Sequence, residues 1–545
     1  MAQWLLSGQN PQESSGVATP ASATMIEDLV NAQMQFLLVQ LGGKDMSRFD
    51  QTLTGSLFVQ SRLYMNVEYF TQNLAAVAPF DPASIGVPAH LVKKINHPSF
   101  GQYLMIGPRF FALYRLITNI YKNILPSLDK ELSVLYWKIR AANDIETIWA
   151  VFDPDLHERL RNIERAHAVN ALMVVSIDSI LRQYAPDLLM LFAGRMTATS
   201  QIGQDIWTLR QTAARCGAET CRLLQKGETN LEAYRALPEA SPLLQEIDSF
   251  MRKYGHRGFR FEYDFETERM ADHPEHILLT IGSQLSEKEA PEKRAQAARE
   301  AAMNSLQKLN PAARLLWKNV IQWSQNLIAW RETSKSIWSL RQAIYGLAAR
   351  KMAQQFYPDQ PDDILLFYTF KELTTFAASK GEKRIENEIL ETRRQQHTLH
   401  QNQPPPPELI WYNTESHKWV PALETETVSQ EIVKQLRGYP ASIGSGPVEG
   451  YALVTNDPME AARRLLELKT PTILITRLTD PAWSTLFGRL TAAVTELGGV
   501  ISHAAIVARE NGLPSVVGVS NATHYIRDGQ RLRVDGATGI IDILD

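Results

Sequence analysis

The sequence predicts a multidomain protein: a large, mostly α-helical domain followed by a small C-terminal α/β domain. Three observations carry this reading. The chain has 545 residues, too many for one hydrophobic core. Between about residues 24 and 400, apolar residues recur at three- and four-residue steps, the period of helices with one buried face. From residue 441 onward, short β-type runs alternate with helical segments, the rhythm of a compact α/β unit.

Composition narrows the class. Hydrophobic residues make up 44% and charged residues 21% of the chain, and the net charge is −3. These are the values of an ordinary globular protein, with no global attraction to nucleic acid or to an anionic membrane. The two cysteines, Cys216 and Cys221, suit a reduced, cytoplasmic compartment. Without nearby histidines they are not a metal pattern, and no metal ligand set is expected. The first ten residues contain no basic region followed by an apolar run, so no secretory signal is read. The most apolar stretch, Ala171 to Phe192, is broken by Asp178, Arg182, Gln183 and Asp187. It reads as a buried helix, or two helices meeting near Pro186, rather than a membrane span.

Taken in order, residues 1–23 are rich in Ser, Gly, Pro and Gln and read as an extended arm. Residues 24–400 form the helical domain. Phe110 to Tyr121 and Trp317 to Ala349 are its clearest periodic runs. Trp317, Trp323, Trp330 and Trp338 lie at spacings expected of core packing. The charged stretch Glu287 to Glu300 reads as a solvated helix face. Four consecutive prolines at 404–407 cannot continue a helix and open a linker spanning 401–440. In the final domain, 441–545, strands are expected at Gly450–Val454, Thr472–Thr476, Ala492–Thr495, Ser515–Val519, Arg531–Val534 and Gly539–Leu544. Helices are expected at Pro458–Leu468 and His503–Asn511, and a hairpin turn at Asp535–Gly539.

One segment of this domain carries chemistry. Gly498 and Gly499 follow a strand end, where glycine permits a positive φ or a close backbone approach. Ser502 is suited to cap a helix beginning at His503, and Gly512 with Pro514 closes it. A helix N-terminus presents free N–H groups and a positive dipole end to an anion. Neutral imidazole is a competent nucleophile near pH 7. His503 is therefore set to accept, hold and release a phosphoryl group, with Ser502, Gly498 and Gly499 shaping its loop.

The stretch Thr495 to Pro514 resembles the phosphohistidine swivelling domain of the family that includes phosphoenolpyruvate synthase, pyruvate phosphate dikinase and rifampin phosphotransferase. Ser442 to Gly450 resembles that domain's opening turn and first strand. Thr479-Asp-Pro-Ala-Trp483 resembles the segment before the histidine strand, and Val534-Asp-Gly536 with Gly539 the closing hairpin. The resemblance implies that His503 is the phosphorylated histidine.

The helical region is similar to the acceptor-binding domain of rifampin phosphotransferase-like proteins. Tyr254-Gly-His-Arg257 with Glu262 and Asp264 resembles that domain's Tyr-Gly-His-Arg and acidic segment. Trp330-Arg-Glu332, Asp362 to Leu366, Arg393-Arg394, Gln3-Trp4 and Val17 to Pro20 also fall where similar features occur. His256, Arg257, Glu262 and Asp264 are accordingly candidate substrate-binding residues. Arg257 could fork onto a phosphate or carboxylate and His256 act as acid or base. Alternatively, Arg257 is held by Glu262 or Asp264 in an internal ion-pair network.

The family's donor module is an ATP-grasp domain. This chain carries no Gly-x4-Gly-Lys-Ser/Thr phosphate loop and reads as beginning where that module would end and stopping after the swivelling domain. The resemblance therefore implies a separately encoded ATP-grasp subunit that would bring ATP and Mg2+, with no cofactor bound by this chain itself. The expected function is transfer of a phosphoryl group on His503 from that partner to a small-molecule acceptor, a hydroxyl compound. Alternatives are another phosphoprotein or small molecule as donor, a phosphohistidine relay to another protein, or a non-catalytic scaffold subunit with a vestigial histidine.

Overall fold

The protein is described by a computed structural model. It describes residues 3–7, 17–42, 53–74, 100–142, 144–184, 188, 191, 197–259, 262–285, 296, 299–300, 303–404, 406–407, 409–422, 433–444, 446–499 and 502–544. The architecture is a large helical region with a C-terminal mixed-sheet domain. By its internal contacts the chain divides into two units. One comprises 1–179, 260–267 and 334–428, and the other 180–259, 268–333 and 429–545.

The first unit combines helices with a five-stranded antiparallel sheet. Its strands are β1 (Gln3–Ser7), β2 (Ser56–Val59), β3 (Arg62–Asn66), β4 (Leu409–Asn413) and β5 (Lys418–Pro421), in the order β2-β3-β1-β4-β5. Here the expected arm and the expected linker turn out to pair. Gln3 to Ser7 runs antiparallel to Leu409 to Asn413 in continuous register. An extended segment leaves its N–H and C=O groups unpaired, and a second extended segment satisfies them. The helix Pro20–Gly42 starts inside the segment read as arm. Thr19, just before it, donates its N–H to the Asp264 carboxylate at 2.7 Å. Helices Pro154–Tyr184 and Pro311–Phe356 meet in this unit through a buried ion pair between Glu164 and Arg341. A bond of 2.7 Å joins His167 Nδ1 to Ser334 Oγ. The periodic run Trp317 to Ala349 is thus one stretch of a single 46-residue helix.

The second unit contains an eight-stranded sheet. To the strands above it adds β6 (Gln435–Arg437), β7 (Tyr439–Ser442), β8 (Val448–Val454), β9 (Thr472–Thr476), β10 (Ala492–Thr495), β11 (Ser515–Val517), β12 (Arg531–Asp535) and β13 (Ile540–Ile543). Their order is β6-β13-β12-β8-β9-β10-β11-β7. The central strands β8, β9, β10 and β11 run parallel to one another, and antiparallel strands close both sides. Successive residues point to opposite faces. Ile473, Ile475 and Val494 enter one apolar cluster, while Leu474 and Ala493 enter another with Val507 and Ala508 of helix His503–Glu510. Strand β6 lies in the stretch expected to be linker, and β7 straddles the expected boundary at 440/441. The helices Ala198–Arg215, Ala218–Gln225, Ser241–Tyr254 and Glu275–Gln284 belong to the same unit. Leu279 of the last sits in the cluster that holds Val507.

Cys216 is buried and Cys221 half-buried, and neither forms a disulfide. Among the described residues no helix is long and apolar enough to cross a membrane. Pro186 and most of 287–300 lie outside the described residues.

Candidate active site

The fully buried strand β10 delivers the chain to the histidine turn. Beyond it Thr495 Oγ1 donates to the Leu497 carbonyl at 2.7 Å, and the Glu496 carboxylate accepts the Thr523 N–H at 2.7 Å. Gly498 has φ +120°, a conformation that L side chains rarely adopt. A Cβ there would also stand 3.0 Å from Ser502 Oγ. Gly499 contributes its carbonyl, which accepts the Ser502 N–H at 2.9 Å. Residues 500 and 501 lie outside the described residues.

Ser502 is the N-cap of helix His503–Glu510, its Oγ accepting from Ala505 N at 3.3 Å. Gly512, at φ +61°, ends the helix, and Leu513 N donates to Ala508 O at 2.8 Å, the pattern of a glycine-terminated helix. His503 opens the helix and is only 6% exposed. Its Nε2 lies 2.9 Å from Ser484 Oγ. Ser484 belongs to the short 3-10 turn Pro481–Thr485, capped by Asp480, whose carboxylate accepts Ala482 N at 3.0 Å. Trp483, beside it, is buried against Leu486, Phe487 and Val507. The ring is therefore held at both ends, by the capped helix and by a serine on a turn pinned into the core.

A glycine-led turn, a capping serine and a histidine at a helix start thus lie together, with the Ser484 hydroxyl on the ring's Nε2. The C-terminal region matches the PEP-utilising enzyme mobile domain. The match covers residues 468–539. Residues 164–332 match the fourth domain of rifampicin phosphotransferase. The chain is 31% identical over 313 residues to rifampicin phosphotransferase of Bacillus cereus, covering 55% of this chain and 34% of that protein. It is 44% identical over 106 residues to a probable phosphoenolpyruvate synthase of Staphylothermus marinus, covering 19% of this chain and 12% of that protein. A prodigiosin-synthesising transferase of Serratia marcescens is 26% identical over 318 residues, covering 56% and 34%. The chain spans about a third of the length of the first of these relatives.

The mobile domain meets the helices of its own unit around this site. A Cβ at Gly203 of helix Ala198–Arg215 would lie in ordinary contact with the Ser484 carbonyl, at 3.6 Å. His276 Nε2 lies 3.2 Å from Thr485 Oγ1, and its Nδ1 lies 3.1 Å from Met459 Sδ. Gln284 Nε2 donates to Thr485 O at 2.5 Å. Complete burial pulls His276 down to about 4, since an imidazolium there would lose its hydration. At the far end of the histidine helix, the Glu510 carboxylate accepts from Thr197 Oγ1 at 3.0 Å. Burial first, then the nearby Glu332 carboxylate, pushes Glu510 up to about 8. Glu332 itself accepts Thr199 Oγ1 at 2.9 Å and pairs with Arg331 Nη1 at 2.7 Å.

The four candidate acceptor-binding residues are all buried, and they divide between the units. His256 and Arg257 belong to the unit that holds the mobile domain, Glu262 and Asp264 to the other. Arg257 sits on the turn after helix Ser241–Tyr254, its N–H bonded to Tyr254 O at 2.9 Å and its carbonyl to Met270 N at 2.8 Å. The His256 carbonyl accepts from Arg269 Nη1 at 3.4 Å. Asp264 accepts from Thr19 N and Glu266 N, both at 2.7 Å. Its carboxylate thereby braces the start of helix Pro20–Gly42, a structural task the sequence did not announce. Burial, outweighing these hydrogen bonds, pushes it up to about 6. Among the described residues no cluster of three or more His, Cys, Asp or Glu is placed to hold a metal.

Ser484, Glu510 and Thr197 surround the histidine helix without having been singled out in the sequence, whereas Glu332 lies in the Trp330-Arg-Glu332 motif named above. Ser484 directly follows the Thr479–Trp483 segment singled out above, and Glu510 falls seven residues after His503. These positions were the available signals.

Proposed function

We propose that this chain is a phosphotransferase subunit that carries a phosphoryl group on His503. A donor P–O bond breaks as an imidazole nitrogen bonds to phosphorus. The acceptor hydroxyl oxygen then attacks phosphorus, the N–P bond breaks, and the departing imidazole takes up the hydroxyl's proton and is restored. The amide N–H groups at the start of helix His503–Glu510 stabilise the phosphoryl charge. The donor is ATP with Mg2+ on a separately encoded ATP-grasp subunit. The acceptor is a small hydroxyl compound bound by the helical region, and the setting is the cytoplasm.

The observation that carries this reading is the position of His503. It is the first residue of a Ser502-capped helix, entered through a positive-φ Gly498, in a segment matching the PEP-utilising enzyme mobile domain. The covered ring adds a mechanical condition. A phosphoryl group on Nε2 must displace the Ser484 hydroxyl of the same domain, and the ring, only 6% exposed, reaches a donor by movement of the mobile domain away from the helices packed around it. Such domain excursions fall in the microsecond-to-millisecond class.

The same burial is what a packed, non-catalytic histidine displays, and it favours the scaffold reading as the alternative. Intact-mass measurement after mixing the protein with ATP, Mg2+ and an ATP-grasp partner separates the two. An acid-labile, base-stable phosphoryl adduct is expected on the wild type and none on His503→Ala. Identical spectra for both proteins would assign the chain to the scaffold class.

A further inference from the structure

The histidine helix is tied to helix Ala198–Arg215 at both of its ends, indirectly through Ser484 and directly through Glu510. At its start, His503 bonds Ser484, whose carbonyl faces Gly203. At its end, Glu510 bonds Thr197, the N-cap of that same helix. Seven residues separate His503 from Glu510 and six separate Thr197 from Gly203, spans of about 10 Å and about 9 Å at the α-helical rise. Positions i and i+7 share one helix face. Glu510 is thus the side chain of the histidine helix that meets this neighbour directly, and with the Ser484 contact it holds the helix at both ends.

The Glu510 contact is chemically unusual. The Thr197–Ser200 turn carries two buried carboxylates at once, Glu510 on Thr197 and Glu332 on Thr199. Glu510 Oε1 is buried without a hydrogen-bond partner among the described residues. Among the described residues, the charged groups that act on Glu510 are Glu332, which is paired with Arg331, and Arg299. The neighbouring Arg509 turns its Nε to the Ala441 carbonyl of its own domain at 2.7 Å. Two carboxylates this close cannot both ionise cheaply out of water, and Arg331 already neutralises Glu332.

We infer that Glu510 is a positioning residue: as a neutral acid on the Thr197 turn it sets the register of the His503 helix against the helical region, so that docking of the mobile domain takes up a proton. This rests on the reading of His503 as a carrier that alternates between docked and released positions.

The proton count follows. Released, Glu510 returns towards the ordinary carboxylate value of 4.5, whereas docked it lies near 8. Docking is thus weakened as pH rises through this window, by tenfold per unit for one proton. His276 acts in the opposite sense: docked it stays neutral down to about 4, against an ordinary 6.5. Between about pH 4.5 and 6.5 the two protons cancel. From about pH 6.5 to 8 only the Glu510 proton remains, and the docking constant falls about tenfold per unit.

The test uses the full chain with Cys216 and Cys221 replaced by serine and Ala482→Cys as reporter. Ala482 is fully buried in a cluster with Ile202, Ile206 and Ile277 of the covering helices. Its thiol reacts with maleimide only on release. Rates are normalised to the unfolded chain at each pH. Labelling is expected to quicken about tenfold per unit between pH 6.5 and 8, and to stay level when Glu510→Gln is added. Glu332→Gln should leave a slope that ends at lower pH. A level wild-type profile, or the same slope with Glu510→Gln, overturns the proposal, and an unmoved upper end in Glu332→Gln removes Glu332 from the contact. No phosphoryl donor is used, so failure here is distinct from failure to find the His503 adduct.

Discussion

At the residue scale, the chemistry of the site depends on local geometry that the sequence already contains. Ser502 and His503 are adjacent, and a serine one residue before a helix serves the backbone within three residues of itself. Ser502→Ala removes the acceptor for Ala505 N and leaves a buried N–H without its cap. The expected cost is about 1 kcal/mol, read as a lower urea midpoint, with slower appearance of the His503 adduct. Ser502→Thr, which keeps the oxygen, should recover most of both. The turn residues Gly498 and Gly499 and the cap were legible because they act over a few positions. Ser484 and Thr197 were not. They lie 19 residues from His503 and 313 residues from Glu510 respectively, and only the folded sheet and helices bring them close. The low-lying His276 and high-lying Glu510 were invisible for the same reason. Burial, the leading cause of both shifts, is a property of the packed neighbourhood and not of the side chain.

At the element scale, the C-terminal domain follows the sequence pattern closely. Strands Thr472–Thr476 and Ala492–Thr495 fall where the β-branched and small apolar runs place them. Helix Pro458–Glu467 starts at a proline after the capping Asp457. The first sheet was not legible, because β1 pairs with β4 across the whole intervening chain. Local pattern reports extension and not the identity of a distant partner. Small residues also carry packing that periodicity alone does not disclose. Ala504 and Ala505 of the histidine helix pack with Ala441 of β7 and Val517 of β11, and Gly536 in the closing hairpin is tighter still. A Cβ at Gly536 would lie 1.8 Å from the Ser442 carbonyl and 3.0 Å from Ser515 N, both rigid backbone. Gly536→Ala must push β7 and β11 away from the hairpin, at a cost of about 2 kcal/mol or more. The expected result is a lower urea midpoint and a reduced adduct yield, since those two strands support the helix that presents His503. An unchanged midpoint would mean that the hairpin gives way without strain.

At the scale of the whole molecule, helical periodicity from 24 to 400 suggested one body, yet contacts group these residues into two units, one of which also includes the mobile domain. An apolar stripe states that a helix buries one face and leaves open which neighbour covers it. Asp264 makes this grouping testable. It lies in the short segment 260–267 that joins the first unit, where it accepts from Thr19 and Glu266. Its folded value of about 6 lies above the ordinary 3.8, so the folded protein retains a proton that the unfolded chain has released. The stability tied to that proton is complete below pH 3.8 and is lost as pH rises through about 6. Asp264→Asn keeps an acceptor for Thr19 but carries no charge to bury. Relative to wild type, the asparagine variant should therefore gain stability as pH rises from about 4 to 6 and hold a constant difference above that. Urea unfolding of both proteins at matched pH measures this directly, because the contributions of Glu510 and His276 are common to the two and drop out of the difference. A difference independent of pH would mean that Asp264 is solvated in the native protein, and the brace between segment 260–267 and helix Pro20–Gly42 would have to be redrawn.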